Sequence, residues 1–201
     1  MIRRSTVPAP LRPALALAVS AALAGLGCQA KPVADSDWFE GGEMKPASAD
    51  TLQLTARVLA SKGDTARAGY VIDRMAREHP DYLGTYTEGA EVLLIEGRVK
   101  EAIGWLDRGL ERFPDHPILR NNRGMCHLLA ANLEAATADF AAAFEADPGD
   151  AEYVFNLGLA EALAGNEAKA KEYWNRVLTT KEVEENLQVA RTARPNFSRP
   201  G

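Results

Sequence analysis

Few residues in this chain have the types and spacing that chemistry would require. His79, His116 and His127 are its three histidines, Cys28 and Cys126 its two cysteines, and Glu88 with Glu91 is the one acidic pair that stands out. A metal centre needs His, Cys or carboxylate ligands at short fixed spacings, and none flanks His127 in that way. The chain contains no His-Glu-x-x-His, no phosphate-binding Gly-rich loop ending in Gly-Lys and no Gly-x-Ser-x-Gly. Asp115-His116 falls in a turn and serves that turn. Cys126 shares its place in a repeat with Val58, Val92 and Ala160, which describes a packed thiol rather than the exposed, electropositive cysteine of a redox site. Asn122 and Asn156, 34 residues apart, carry another kind of chemistry, because a carboxamide offers both a donor and an acceptor. The chain reads as a non-enzyme without metal or cofactor, whose chemistry is recognition. Its 23 basic and 28 acidic residues leave a net charge of −5. Nucleic-acid affinity rests on Lys and Arg contacts to phosphate, so the balance argues for no nucleic acid partner. It gives no electrostatic pull towards anionic lipid either.

The elements that would position such residues follow from a spacing of 34. Pro80, Pro114 and Pro148 keep that interval, as do Ala68, Ala102, Ala136 and Ala170. Gly63, Gly97, Ala131 and Gly165 form a third track, and Ala56, Ala90, Gly124 and Gly158 a fourth. Four tracks in one phase without insertion divide the chain into repeats at 49–82, 83–116, 117–150 and 151–184. Each repeat is expected to be a helical hairpin. In the second, helices over 84–96 and 99–112 are joined at Gly97-Arg98, since glycine tolerates the left-handed conformation that ends a helix. Pro114 cannot continue a helix and closes the repeat. Ile72, Leu106, Phe140 and Trp174 lie four residues beyond the alanine track, on the same helical face, and read as core knobs. No hairpin buries its apolar face alone, so stacked neighbours must build the core. Glu182 stands where a fourth proline would fall. Residues 182–191 read as a capping helix, and 192–201, with Pro195 and Pro200, as a disordered tail.

A strict 34-residue period with a small residue, an alanine and a closing proline resembles the tetratricopeptide repeat. The resemblance covers 49–184. It implies an all-α fold, a right-handed α-solenoid of four helical hairpins plus a C-terminal capping helix. In that family the first helices of the hairpins line a concave groove, and the family's phase places particular residues beside it. These are Gln53, Arg57 and Ser61 in the first repeat and Glu88, Glu91, Leu94 and Ile95 in the second. The third contributes Asn121, Asn122, Met125, Leu128 and Leu129, and the fourth Phe155, Asn156, Leu159 and Leu163. The resemblance implies a protein or peptide partner. Its peptide-binding residues would be Asn122, Asn156 and Asn121, holding an extended backbone, with Met125, Phe155 and Leu159 as an apolar wall. The basic carboxylate clamp of some members is not matched, because Leu54 and Glu88 occupy positions that need polar or basic groups. Arg120 and Arg123 fall where the family has large apolar residues. They mark either a partner surface or ion pairs with an acid such as Glu88 or Glu91.

The N-terminus has a different composition. Residues 1–27 contain Arg3, Arg4 and Arg12, no acid, and an apolar stretch from Leu15 to Leu26. A basic start and a short apolar run before small residues describe a secretory signal peptide, too short for a comfortable membrane span. Leu23-Ala24-Gly25-Leu26-Gly27-Cys28 resembles a bacterial lipobox, with Gly25 departing from the usual leucine. The resemblance implies cleavage before Cys28, its acylation, and a membrane partner through that lipid anchor. The absence of Asp after the cysteine implies the outer membrane, facing the periplasm. The mature chain would keep 20 basic and 28 acidic residues, a net −8, and Cys126 would have no disulfide partner. Residues 28–48, broken by Lys31-Pro32, Gly41-Gly42 and Lys45-Pro46, read as a flexible linker.

The run Glu182-Val183-Glu184-Glu185-Asn186-Leu187 and the passage from Leu119 to Gly124 are similar to tetratricopeptide lipoproteins of the tight-adherence pilus system. The expected function is an envelope-tethered scaffold that holds a protein segment in its groove and assists assembly of a pilus or secretion complex. A structural adaptor for cell-wall enzymes or outer-membrane assembly is the alternative. A carbohydrate-binding or hydrolytic periplasmic protein using Glu88 and Glu91 is a weaker one. The oligomeric state is left open.

Overall fold

The computed structural model describes residues 46–197. The expected signal peptide, Cys28, the linker up to residue 45 and residues 198–201 lie outside the described residues. Nine α-helices follow in order among those described: α1 (Ala49–Ser61), α2 (Thr65–Glu78), α3 (Leu83–Ile95), α4 (Val99–Arg112), α5 (Pro117–Leu129), α6 (Leu133–Ala146), α7 (Ala151–Ala164), α8 (Glu167–Trp174) and α9 (Thr180–Ala193). A short 3₁₀ turn, Arg194–Asn196, ends the order. The first eight form four hairpins, each packed against the next.

The turn inside each hairpin is the same hydrogen-bonded motif. Asp64 N–H donates to Leu59 C=O at 2.9 Å, Arg98 to Leu93 at 2.9 Å, Asn132 to His127 at 2.8 Å and Asn166 to Glu161 at 2.8 Å. Such a 6→1 bond requires a left-handed residue just before its donor. Gly63, Gly97 and Gly165 supply it with φ of 76°, 75° and 93°, and Ala131 does so at 58° without glycine's freedom. Between hairpins, His79, Phe113 and Asp147 are pushed out of the helical region because each precedes a proline.

The expected core is observed. Ala68, Ala102, Ala136 and Ala170 are fully buried, and Ile72, Leu106, Phe140 and Trp174 are buried beside them. The small first-helix residues have a matching cause. A Cβ on Gly124 would stand 2.7 Å from the Phe140 ring, and one on Gly158 would stand 2.7 Å from the Trp174 indole. The aromatic knob of the second helix therefore lies directly on the first-helix backbone.

Two boundaries differ from expectation. The fourth repeat lacks the closing proline, yet α8 stops at eight residues where α2, α4 and α6 have 14. The capping helix then starts at Thr180, inside the span assigned to the fourth repeat. Its start is fixed by a capping box: the Thr179 side chain accepts from the Glu182 N–H, and the Glu182 carboxylate accepts from Thr179 N at 2.8 Å. Glu182 thus begins a helix rather than replacing a turn residue. Residues 192–197, expected in a disordered tail, continue α9 and the 3₁₀ turn, and Phe197 packs on the core. Val183, Leu187 and Ala190 are the buried stripe of α9, and its last turn is tied down by Glu167. That carboxylate accepts from Arg191 Nε at 3.0 Å and Nη2 at 2.6 Å, and from Arg194 Nη2 at 3.1 Å.

Candidate functional site

The first helices α1, α3, α5 and α7 share a repeating register, and α1 lies against α3 and α3 against α5. Their sixth, ninth and thirteenth positions recur at i, i+3 and i+7 and so keep to one helical face. These residues are Leu54, Arg57 and Ser61, then Glu88, Glu91 and Ile95, then Asn122, Met125 and Leu129, then Asn156, Leu159 and Leu163. The face changes character along the array. Over the first two repeats it mixes exposed Arg57, Ser61 and Glu91 with exposed Leu54 and Ile95, over the last two it is mainly apolar, and Glu88, Asn156 and Leu163 are buried beneath it. Ile95 and Leu129, both at the thirteenth position, are 52% and 56% exposed. Met125, Leu159 and Phe155 are half-buried, packed against the core with part of each surface showing. Phe155 is held most tightly: its C=O accepts from Trp174 Nε1 at 3.0 Å, and the two rings stand 5.8 Å apart.

The three asparagines expected to act together do not share a role. Asn156 donates from Nδ2 to Asn121 Oδ1 at 2.8 Å, and Asn121 Nδ2 donates to Glu152 Oε1 at 2.8 Å. Both asparagines are buried, Asn121 at 2% and Asn156 at 6% exposure, so their carboxamides join repeat three to repeat four. Asn122, half-buried, makes no such bond among the described residues and keeps its amide on the face. The partner 35 residues away, not the one 34 away, closes the bond. The same offset joins Gln53 Nε2 to Glu88 Oε1 at 2.8 Å.

Glu88 is also paired with Arg57, whose guanidinium is held above its ordinary pKa chiefly by that hydrogen bond. A buried carboxylate held by Arg57 and Gln53 is a link between the first two repeats.

Arg120 and Arg123 do form ion pairs, but with acids other than Glu88 or Glu91. Asp139 on α6, 3% exposed, accepts from Arg123 Nε and Nη2 at 2.7 Å each and from Arg120 Nη1 at 3.3 Å. Arg123 Nη1 reaches Asp107 on α4 at 2.7 Å, and Arg120 Nη2 reaches Asp115 at 2.5 Å. His127 Nε2 stands 3.9 Å from Asp139. The Asp139 hydrogen bond is the largest influence raising the pKa of Arg123, against the opposing effect of burial. The buried apolar residues form two clusters, one running from Leu52 to Cys126 and one from Leu128 to Ala190. Cys126, fully buried, has its thiol pushed up to about 11 by desolvation.

Asp139 and Asp107 were not found from sequence. The available signal was a pair 16 residues apart: Gly89 with Trp105, Arg123 with Asp139 and Leu157 with Tyr173 occupy equivalent positions. In repeat two the Trp105 indole lies on Gly89, where a Cβ would come within 2.2 Å of it. In repeat three the same contact is an ion pair. A second feature missed from sequence is an open cleft of about 620 Å³ bordered by α2, α3 and α4, next to Gly69, Gly104 and Trp105. Arg108 stacks over the Trp105 ring there, 4.0 Å from its centroid.

This all-α stack of hairpins defines a tetratricopeptide solenoid. The sequence profile described as tetratricopeptide repeat matches residues 89–151. A thermophilic tetratricopeptide protein of Thermus thermophilus is similar at 18% identity, with 74% of this chain and 84% of that one covered and a TM-score of 0.62. MamA (41-end) from Desulfovibrio magneticus RS-1 is similar at 22% identity, covering 69% of this chain and 76% of that one, with a TM-score of 0.56. The Cut9–Hcn1 hetero-tetramer structure of APC/C is similar at 15% identity over 72% of this chain and 30% of that one, TM-score 0.61. These likenesses concern the fold. No curated protein sequence matches the chain.

Proposed function

We propose that this chain is a protein-binding scaffold, tethered to the bacterial envelope through acylated Cys28, which holds a segment of a partner protein on its first-helix face during assembly of a pilus or secretion complex. One observation carries the binding part of the reading. Ile95 and Leu129 expose apolar side chains at equivalent positions of adjacent helices, beside half-buried Met125 and Leu159 and the unbonded amide of Asn122. An apolar wall with an adjacent donor–acceptor group is what a partner helix or strand requires. The tether and the assembly role rest on the sequence of residues 1–28 and on the resemblance to tight-adherence lipoproteins. In this reading Asn121 and Asn156 support the face from beneath, and Asn122 makes the contact.

A photocrosslinker placed at Leu129 in living cells tests the face. Capture of a defined protein from Leu129, absent from a crosslinker at Tyr70 on α2 and lost in Met125→Asp, is expected. Equal capture from both positions would overturn the reading. Fatty-acid labelling of wild type and Cys28→Ser tests the tether, and equal labelling of the two would remove it.

A further inference from the structure

The joint between repeats one and two lacks a cation that the next joint has. Between repeats two and three, the Arg123 guanidinium bridges Asp107 of α4 and Asp139 of α6, with contacts of 2.7 Å to each. The residues 34 positions before Arg123, Asp107 and Asp139 are Gly89, Asp73 and Trp105. All three line the open cleft of about 620 Å³ bordered by α2, α3 and α4. Gly89 has no side chain to offer. Asp73, exposed on α2, makes no ion pair among the described residues. Trp105 puts an indole where the second acid stood, and the face of an indole also attracts cations. That ring is fixed in place, since its Nε1 donates to Thr85 C=O at 3.1 Å.

Two glycines keep the cleft open. Gly69 and Gly104 stand inside α2 and α4, where glycine weakens a helix. A Cβ on either would meet nothing within 4 Å, so packing within the chain requires neither. The later repeats carry Ile103 and Thr137 at the first position and Ala138 at the second. With both side chains missing, the cleft has the size that small ligands fill.

The rim favours a cation. Arg98 serves both Glu96 and Glu101, at 2.6 Å from each, so two acids share one base there. Tyr70, 68% exposed, brings a second aromatic ring to the cleft. Arg108 is an opposing charge. It stacks over Trp105, 4.0 Å from the ring centroid, and no acid among the described residues holds it there. None of the residues lining the cleft belongs to the first-helix face, so the two sites are separate.

We propose that this cleft binds a small guanidinium compound, whose cation pairs with Asp73 and lies against Trp105 and Tyr70, supplying the group that Gly89 omits. The planar fork of a guanidinium meets two partners at once, as Arg123 does at the next joint, and an ammonium does not. Calorimetric titration of the full chain with acetyl-arginine amide, in a Cys28→Ser background, tests this. Saturable binding is expected, with none from acetyl-citrulline amide, its uncharged analogue. Asp73→Asn should weaken binding at least about tenfold, as loss of a hydrogen bond to a charged group does. Gly69→Ile, which copies Ile103, should fill the cleft and remove binding without lowering the thermal midpoint. Arg108→Ala removes a like charge and should bind no more weakly than the parent. A parent chain without saturable binding, equal binding of the citrulline analogue, or undiminished binding by Asp73→Asn or by folded Gly69→Ile would each overturn the proposal. Weakening by Arg108→Ala would overturn it too, by assigning the cleft to an anion. Should Gly69→Ile lower the midpoint, Gly104→Leu takes its place under the same criteria.

Discussion

Asn156 gives its amide to Asn121 across the joint between repeats three and four, at 2.8 Å and out of contact with solvent. Two residues that sequence phase places beside a binding groove are thereby spent on holding the scaffold together. Asn122, adjacent to one and 34 residues from the other, keeps its carboxamide.

The different surroundings of these residues let stability and the proposed recognition be tested apart. Asn121→Ala orphans the Asn156 donor and a Glu152 contact and should cost about 1–3 kcal/mol. Asn122→Ala should change stability by less than about 0.5 kcal/mol, as surface substitutions usually do, while lowering partner capture. Urea unfolding of the two variants, read beside capture, checks the contrast. Equal destabilisation would contradict it.

Asp139 is the shared anion of Arg120 and Arg123 and is nearly inaccessible. Asp139→Ala takes the bidentate partner from Arg123 and one partner from Arg120, leaving them Asp107 and Asp115 respectively, and should cost about 1–3 kcal/mol. Introducing Arg123→Leu with Asp139→Tyr copies the pair Leu157 and Tyr173 of the fourth repeat. That double variant should lose less than Asp139→Ala alone, because apolar replacement of a buried ion pair is often neutral. Denaturant midpoints of the three proteins give the order.

Ala131 sits at φ 58° where the other repeats have glycine. A left-handed alanine is strained by roughly 1–2 kcal/mol, and part of the relief is offset by glycine's greater entropy in the unfolded chain. Ala131→Gly should therefore raise stability by roughly 0.5–1 kcal/mol, and Gly97→Ala should lower it. Thermal unfolding of both variants should move in opposite directions.

Acid should loosen the capping helix. Hydrogen bonds from Arg191 and then Arg194 lower the Glu167 pKa from 4.5 to about 2. A group whose pKa is lower in the folded state stabilises above its unfolded value, and that contribution disappears as pH falls towards the folded value. The link between Glu167 and α9 is thus complete above pH 4.5 and fades between there and about 2. Amide exchange in α9 should quicken over this window, and Glu167→Gln should show the faster exchange already at neutral pH.

The hairpins, their turns and the core were legible in the sequence because each follows from local rules repeated four times. Small residues at Ala68 and its equivalents, knobs at Ile72 and its equivalents, and a left-handed residue at each turn recur at one interval. The end of the array was less legible. The fourth repeat drops its proline, α8 shortens, and Thr179 with Glu182 starts a helix that the period of 34 does not contain.

The repeat by itself determined which residues share a helical face and which small and large residues form the core of each hairpin, since the 3.6-residue helical turn and the 34-residue spacing are properties of the chain. Tertiary structure alone decided which polar groups meet. Asn121 finds Asn156 at an offset of 35, Gln53 finds Glu88 at the same offset, and Arg123 finds Asp139 at 16. These contacts depend on how neighbouring helices lie against each other and on side-chain reach. A phase read along one chain cannot tell a carboxamide that faces a partner from one that faces the next repeat.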